Sequence, residues 1–366
     1  MRKHLVFLFA ALLLVGSLTA CGNTHKQNDS ANQSDTQTNT TQTATSQAKS
    51  LTIKDDTDRD VTVSLPITKM VPLDTSPFMV LSAFGKLDTI VGNHQSTQGN
   101  PLYEQLNGLP IVATYSAVNY EMLAQLQPQL VISSVRSHGV VKDQENLSGF
   151  DIEDVKLDLR NPDRMKHDIT LMGQLFSCEE KAKQINAFYD KWQKFINDRE
   201  KNLTDNQRVK VFLEYHAGRY KTGAPKSSFY SQVALAGGIN VAKDLTAGET
   251  PEVNAEWVAK MNPDIIIREA TGMGYTAPNA DKAQTIYDEV VGREGLKMTK
   301  AVQNKNVHLV SVDIYSRPGY IVGVCYMAKW FYPDLFKDFN PDEVLKEYCK
   351  LFYPGKELKG VWTYDK

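Results

Sequence analysis

The stretch NYEMLAQLQPQLVI (Asn119–Ile132) returns in pattern, without a gap, as NAEWVAKMNPDIII (Asn254–Ile267). Each copy reads Asn, one residue, Glu, two apolar residues, an amphipathic turn, Pro and an apolar run. Asn suits a helix N-cap because its side-chain oxygen accepts a bond from a free backbone N–H. Glu in the first turn suits the positive end of the helix dipole. Met122, Leu123 and Leu126 share one face, as do Trp257, Val258 and Met261, so Glu121 and Glu256 point away from the core. A chain that writes one helix-and-strand unit twice, about a lobe apart, is built from two related lobes.

The surroundings of each copy agree. Short apolar runs alternate with helical patterns: ITKMVPLD, a helix from Pro77 to Phe84, DTIVG, LPIVAT, the first repeat helix, LVISS and DVKLDL. A second alternation follows: VKVFLEY, a helix from Ser228 to Ala236, INVA, the second repeat helix, IIIREA and NVHLVSVD, then a helical tail from Gly319 to Tyr353. This order predicts parallel sheets covered by helices. Between the alternations, apolar residues from Ile169 to Phe195 recur at helical spacing, as one long helix or two in tandem. The expected fold is two parallel-sheet α/β lobes, 51–164 and 204–366, joined by an inter-lobe helix at 165–203, with a ligand cleft between the lobes. LTIKDDTDRDVTVSL opens the first lobe as a hairpin.

The N-terminus sets the compartment. Arg2 and Lys3 precede an apolar stretch from Leu5 to Val15, too short to span a bilayer as a mature helix, and LTAC (Leu18–Cys21) ends it. Residues 1–21 read as an export signal. Its ending resembles a bacterial lipobox, which implies cleavage before Cys21, acylation of that residue and a lipid anchor at the cell membrane. Residues 22–50 carry almost nothing apolar, so they cannot offset the entropy of ordering and read as a tether. A coil of that length averages roughly 30 Å end to end.

With 366 residues, 42% of them hydrophobic, the chain is long enough for two cores. A net charge of −2 gives no basic stripe for nucleic acid. Cys178, Cys325 and Cys349 lack metal-ligand spacing, and a Cys325–Cys349 disulfide is not favoured. No GxSxG, HExxH or phosphate loop stands out, so an enzyme is not expected. An exported hydrolase or a sensory lipoprotein is the rival from another class.

Beyond these residue-level readings, the folded part from about Leu51 to Tyr364 resembles the class III substrate-binding lipoproteins of ABC importers for iron complexes, haem and cobalamin. The hairpin resembles that family's Asp-x-x-Gly-Arg-x-Val turn, with Asp58 at the Gly position, where Asp tolerates left-handed backbone. MKHDITLMGQLFSCEEKA resembles its inter-lobe helix, and FYPDLFKDFNPDEVLKEYCKLFY its tail. The resemblance implies that Glu121 and Glu256 dock on arginines of a permease dimer served by a cytoplasmic ATPase, and that the protein is a monomer.

Ligands of open α/β sheets bind beyond the carboxyl ends of the strands. Those ends carry Asp74–Pro77, His94, Tyr115, Arg136 and His138, then Tyr215, His216 and Arg219, then Arg268, Met273, Tyr275, Tyr315 and Arg317. The binding candidates are Tyr115, Arg136, Tyr215, His216, Arg219, Arg268, Tyr275, Tyr315 and Arg317. Guanidinium groups bind carboxylate or oxyanion oxygens in pairs, and the helix opening at Thr75–Pro77 adds free N–H groups. Each arginine taken singly reads equally well as a bridge to a nearby carboxylate. Arg136, Arg268 and Arg317 together point to an anionic cargo such as a ferric siderophore, with no resident metal or cofactor. Haem, with His216, Tyr275 or Met273 as axial ligand, cobalamin, and molybdate or tungstate are the alternatives.

Overall fold

The computed structural model describes residues 49–366 except 137–145, 148, 276 and 357–358. The export signal, Cys21, the tether up to residue 48 and His138 lie outside the described residues. Strands β1 (Lys49–Lys54) and β2 (Asp60–Leu65) form the opening hairpin. Asp58 takes the left-handed conformation with φ 61°, and Asp55 fastens the turn by accepting from Thr57 and Arg59.

The first lobe follows with β3 (Met70–Pro72), α1 (Ser76–Phe84), β4 (Asn93–His94), β5 (Ile111–Ala113), α2 (Tyr120–Leu126), β6 (Leu130–Ser134) and β7 (Glu153–Leu157). Strands β3, β6 and β7 pair in parallel, and a parallel bridge from Met70 to Ile90 carries the array on to the β4–β5 pair.

Helices α3 (Pro162–Leu175) and α4 (Glu179–Glu200) come next. The segment expected as an inter-lobe helix at 165–203 therefore holds two helices, and only α4 joins the lobes. Ser177 breaks the helix with φ 53°, and α3 folds back along α4, where Lys166 pairs with Asp190 at 2.6 Å. A side chain at Gly173 would collide with Ala182, so glycine there lets the helices approach closely. With 22 residues, α4 is about 33 Å long. Near its start Lys181 donates to the Phe84 carbonyl of the first lobe, and farther along Gln193 donates to the Leu235 carbonyl of the second.

The second lobe contains β8 (Lys210–Glu214), α5 (Ser231–Leu235), β9 (Ile239–Asn240), α6 (Ala255–Met261), β10 (Ile265–Ala270), α7 (Asp281–Val291), α8 (Lys300–Gln303) and β11 (Val307–Ser311). The chain ends with α9 (Val312–Tyr315), α10 (Tyr320–Phe331), α11 (Pro341–Phe352) and β12 (Thr363–Tyr364). The sheet order is β12-β11-β10-β8-β9, parallel except for the β12 edge. Leaving out β5, the first lobe runs β7-β6-β3-β4 and the second β11-β10-β8-β9, so the quoted segments, α2–β6 and α6–β10, hold equivalent places. Each helix is capped by its Asn and ends in a left-handed residue, Gln127 (φ 47°) or Asn262 (φ 44°), just before Pro.

One hydrophobic core runs through both lobes, uniting α1, α3, α4 and α10 with the inner sheet faces, and a smaller cluster fills the other face of each sheet. Helix α11 crosses back to pack on α1 of the first lobe. Cys178, Cys325 and Cys349 are all free. Among the described residues no helix is long and apolar enough to cross a membrane.

Candidate functional site

Where β3, β4, β5 and β7 of one lobe and β8, β10 and β11 of the other end, the chain encloses a cavity of about 390 Å³. A second cavity of about 300 Å³ shares Tyr115, Arg160, Tyr215 and His216 with it. Nearly every lining residue follows a strand end or opens a helix, because there the backbone leaves the sheet and side chains are free to face the gap.

In the first lobe, the turn after β3 places Asp74 and Thr75 at the mouth of α1. Asp74 accepts from the Ser76 N–H at 3.0 Å and from Arg160 Nη2 at 2.7 Å. Burial alone would raise its carboxyl, yet Arg160, the Ser76 bond and Arg317 hold it below the ordinary carboxylate range. His94 lies beneath Tyr115, ring centroids 4.9 Å apart, and burial lowers its pKa.

The second lobe contributes Tyr215, stacked on Phe229 at 4.7 Å, and His216, whose Nδ1 lies 2.7 Å from buried Glu269. Tyr275 reaches across the gap, its hydroxyl 3.3 Å from Asn100 Nδ2 of the first lobe. Arg317 donates through Nη1 to Asp313 at 3.2 Å. Burial raises the Asp313 carboxyl, while Arg317 and the Ser311 hydroxyl pull it back. Three buried donors on lining side chains have no hydrogen-bond partner among the described residues: Thr75 Oγ1, Arg160 Nε and Arg317 Nε.

The sequence candidates divide. Tyr115, Tyr215, His216, Tyr275 and Arg317 line the larger cavity, and Arg136 lines the smaller one. Arg268, Arg219 and Tyr315 line neither cavity. Arg268 packs against buried Glu214 and donates to the carbonyls of Tyr215 and His216. Arg219 is exposed and pairs with Glu289 at 2.6 Å. Tyr315 is fully buried and donates to the Phe229 carbonyl at 2.7 Å. Of the three arginines expected to act together, Arg317 and Arg136 reach the cavities and Arg268 does not, and each of the three sits against a carboxylate. Sequence reading missed Arg160, Asp313 and Asn100. Arg160 stands just beyond the run DVKLDL and Asp313 closes the run NVHLVSVD, the signal that flagged the others, whereas Asn100 lies in a loop with no such mark.

Glu121 and Glu256, in the first turns of α2 and α6, are both exposed, and neither forms an ion pair among the described residues.

Comparison with known proteins agrees with this architecture. The family model described as "Periplasmic binding protein" matches residues 70–311. An ABC transporter substrate-binding lipoprotein of Bacillus subtilis, YvrC, is 27% identical over 349 residues, covering 92% of this chain and all of that protein. The TroA-like periplasmic binding protein FepB of Veillonella parvula superposes with a TM-score of 0.72 at 24% identity, covering 86% of this chain and 99% of that one. The molybdate-bound MolA of Haemophilus influenzae gives 0.71 at 21% identity, covering 85% and 99%. With its repeated α/β lobes, bridging helix and cleft at the strand ends, the chain belongs to the class III periplasmic binding proteins, the substrate-binding components of ABC transporters.

Proposed function

We propose that the protein captures a compact anionic metal chelate, a ferric siderophore of modest size, and delivers it to a membrane permease. The observation that carries this reading is the set of unmatched buried donors, Thr75 Oγ1, Arg160 Nε and Arg317 Nε, on side chains that line the cleft. Each arginine spends a terminal nitrogen on an aspartate and keeps Nε unmatched. A buried donor left bare costs about 1–3 kcal/mol, which a ligand oxygen recovers. Tyr103, Tyr115, Tyr215, Phe229 and Tyr275 supply aromatic walls, which suit an organic chelator better than a bare oxyanion. A molybdate-type ion would use the same donors but fill only a fraction of 390 Å³. Haem and cobalamin are large for a cavity at the small end of ligand sites.

The test is a thermal-shift and tryptophan-fluorescence panel of ferric citrate-type and catecholate siderophores, haemin, cobalamin, molybdate and tungstate. Ferric chelates should respond. A response to haemin, cobalamin or the oxyanions alone would overturn the reading.

Delivery rests on Glu121 and Glu256, one exposed carboxylate per lobe, as contacts for a basic permease dimer. Replacing both with Ala should abolish uptake and leave ligand affinity unchanged, and charge reversal should weaken docking more at low salt than at high. An equal loss of ligand affinity would refute this role. For the anchor, Cys21→Ser should release the protein into the medium, and normal retention of that variant would argue against lipidation at Cys21.

A further inference from the structure

Arg136 lies just past the end of β6 in the first lobe, yet its guanidinium reaches the second. Its Nε donates to both oxygens of Asp158, at 2.9 and 3.0 Å, within its own lobe. Its Nη1 donates across the gap to Glu249 at 2.9 Å and lies 3.5 Å from the Lys226 carbonyl. Both ends of this contact are fixed. The Asp158 side chain is only 6% exposed, and its backbone N–H is held by Asp56 and Asp168. The Glu249 carbonyl accepts from the Ala224 N–H at 2.9 Å, and the Thr222 N–H donates to the Pro251 carbonyl, so that loop is tied to the segment 221–224. The contact borders the smaller cavity, and the Asn100–Tyr275 bond crosses between the lobes at the larger one.

We propose that Arg136 is a specificity residue that never touches the compact ligand: anchored on Asp158, it clasps Glu249 and so limits how large a cargo the cleft admits. A compact chelate fits behind the clasp. A bulky one must break it, and the lost ion pair then counts against binding. Because Glu249 is 54% exposed, the penalty is modest and screened by salt. The inference rests on the proposed role of the cleft as a chelate site.

Two measurements separate the clasp from that role. Without any ligand, nitration of Tyr215 by tetranitromethane, read by peptide mass spectrometry, reports access to the cleft. Glu249→Ala should speed it severalfold, and 0.5 M salt should speed wild type toward the variant. With ligand, the affinity for a bulky ferric trihydroxamate relative to ferric citrate should rise about fivefold in Glu249→Ala, with ferric citrate affinity unchanged in that variant, and the same ratio should rise in Arg136→Gln. In the double variant the two gains should not add, because one contact is lost in both. Unchanged nitration together with an unchanged ratio would overturn the clasp. Faster nitration in a protein that binds no ferric chelate would support the clasp and refute the chelate reading. An equal loss of both ligands in Glu249→Gln, which keeps shape but not charge, would also overturn the clasp, because it would place Glu249 in the binding of every cargo.

Discussion

The two lobes share a scaffold, and apart from Arg317 at the cleft they use their arginines differently. In the second lobe, Arg268 and Arg293 flank Glu214, Glu289 pairs with Arg293, and Arg219 closes the row. The result is a line of alternating charge with Arg293 at its centre and Glu214, almost completely buried, between Arg293 and Arg268. In the first lobe, Arg160 shares Asp74 at the cleft and keeps Nε unmatched, while Arg136 spans from Asp158 to the opposite lobe. An unmatched nitrogen alone does not make an arginine a site residue: Arg268 Nε is also unmatched, but it lies 3.3 Å from Glu214 and Arg268 lines neither cavity, whereas Arg160 and Arg317 line the cleft.

The strongest way to break this comparison is Glu214→Ala. Two guanidinium groups would lose their shared carboxylate, and removing one partner from a buried pair costs about 3–5 kcal/mol. Denaturant unfolding should show a loss of that size. A change below about 1 kcal/mol would mean that Arg268 and Arg293 are not structural.

Arg160→Ala probes the other side. With a ferric chelate identified, its dissociation constant should rise roughly ten- to a hundredfold, the worth of a charge-assisted contact of about 1.5–3 kcal/mol. Arg219→Ala, in the exposed pair with Glu289, should leave that constant unchanged. Equal effects from both variants would erase the distinction between the lobes.

The hairpin β1–β2 covers only the first lobe and creates an acid cluster without a counterpart in the second among the described residues. Asp168 is fully buried beside Asp56, and burial together with the Asp56 charge raises its carboxyl to about 9. Arg164 pairs with Asp56. Because the folded-state pKa lies above the unfolded one, the contribution of Asp168 to stability is whole below about pH 4 and is lost as pH rises toward 9. Asp168→Asn should flatten the fall in unfolding free energy between pH 5 and 9, measured at fixed ionic strength. A slope identical to wild type would show that Asp168 is ionised in the native protein.

The smallest effect tests likeness instead of difference. Asn119 and Asn254 each accept the backbone N–H of the third residue onward, at 3.0 and 2.8 Å. Asn119→Ala and Asn254→Ala should each cost about 1 kcal/mol. Markedly unequal losses would show that tertiary packing, and not the shared cap, holds one of the two helices.

The sequence alone determined what depends on local order. The alternation of apolar runs with helical periods specified parallel α/β lobes, and the repeated Asn-x-Glu unit aligned them. Asp58 in the hairpin and Asn at both caps were legible because φ/ψ preference and capping act within a few residues. Which polar side chains meet in the cleft was decided only in three dimensions. Arg268 and Arg317 look alike in sequence, each following an apolar strand, yet Glu214 lies beneath one and the open cavity beside the other. Ser177 folded α3 back on α4, and α11 returned to the first lobe. The reason is physical: a strand or cap is fixed by bonds to near neighbours, whereas the charge of a guanidinium is answered by whichever carboxylate the packing brings within about 4 Å, wherever in the chain it lies.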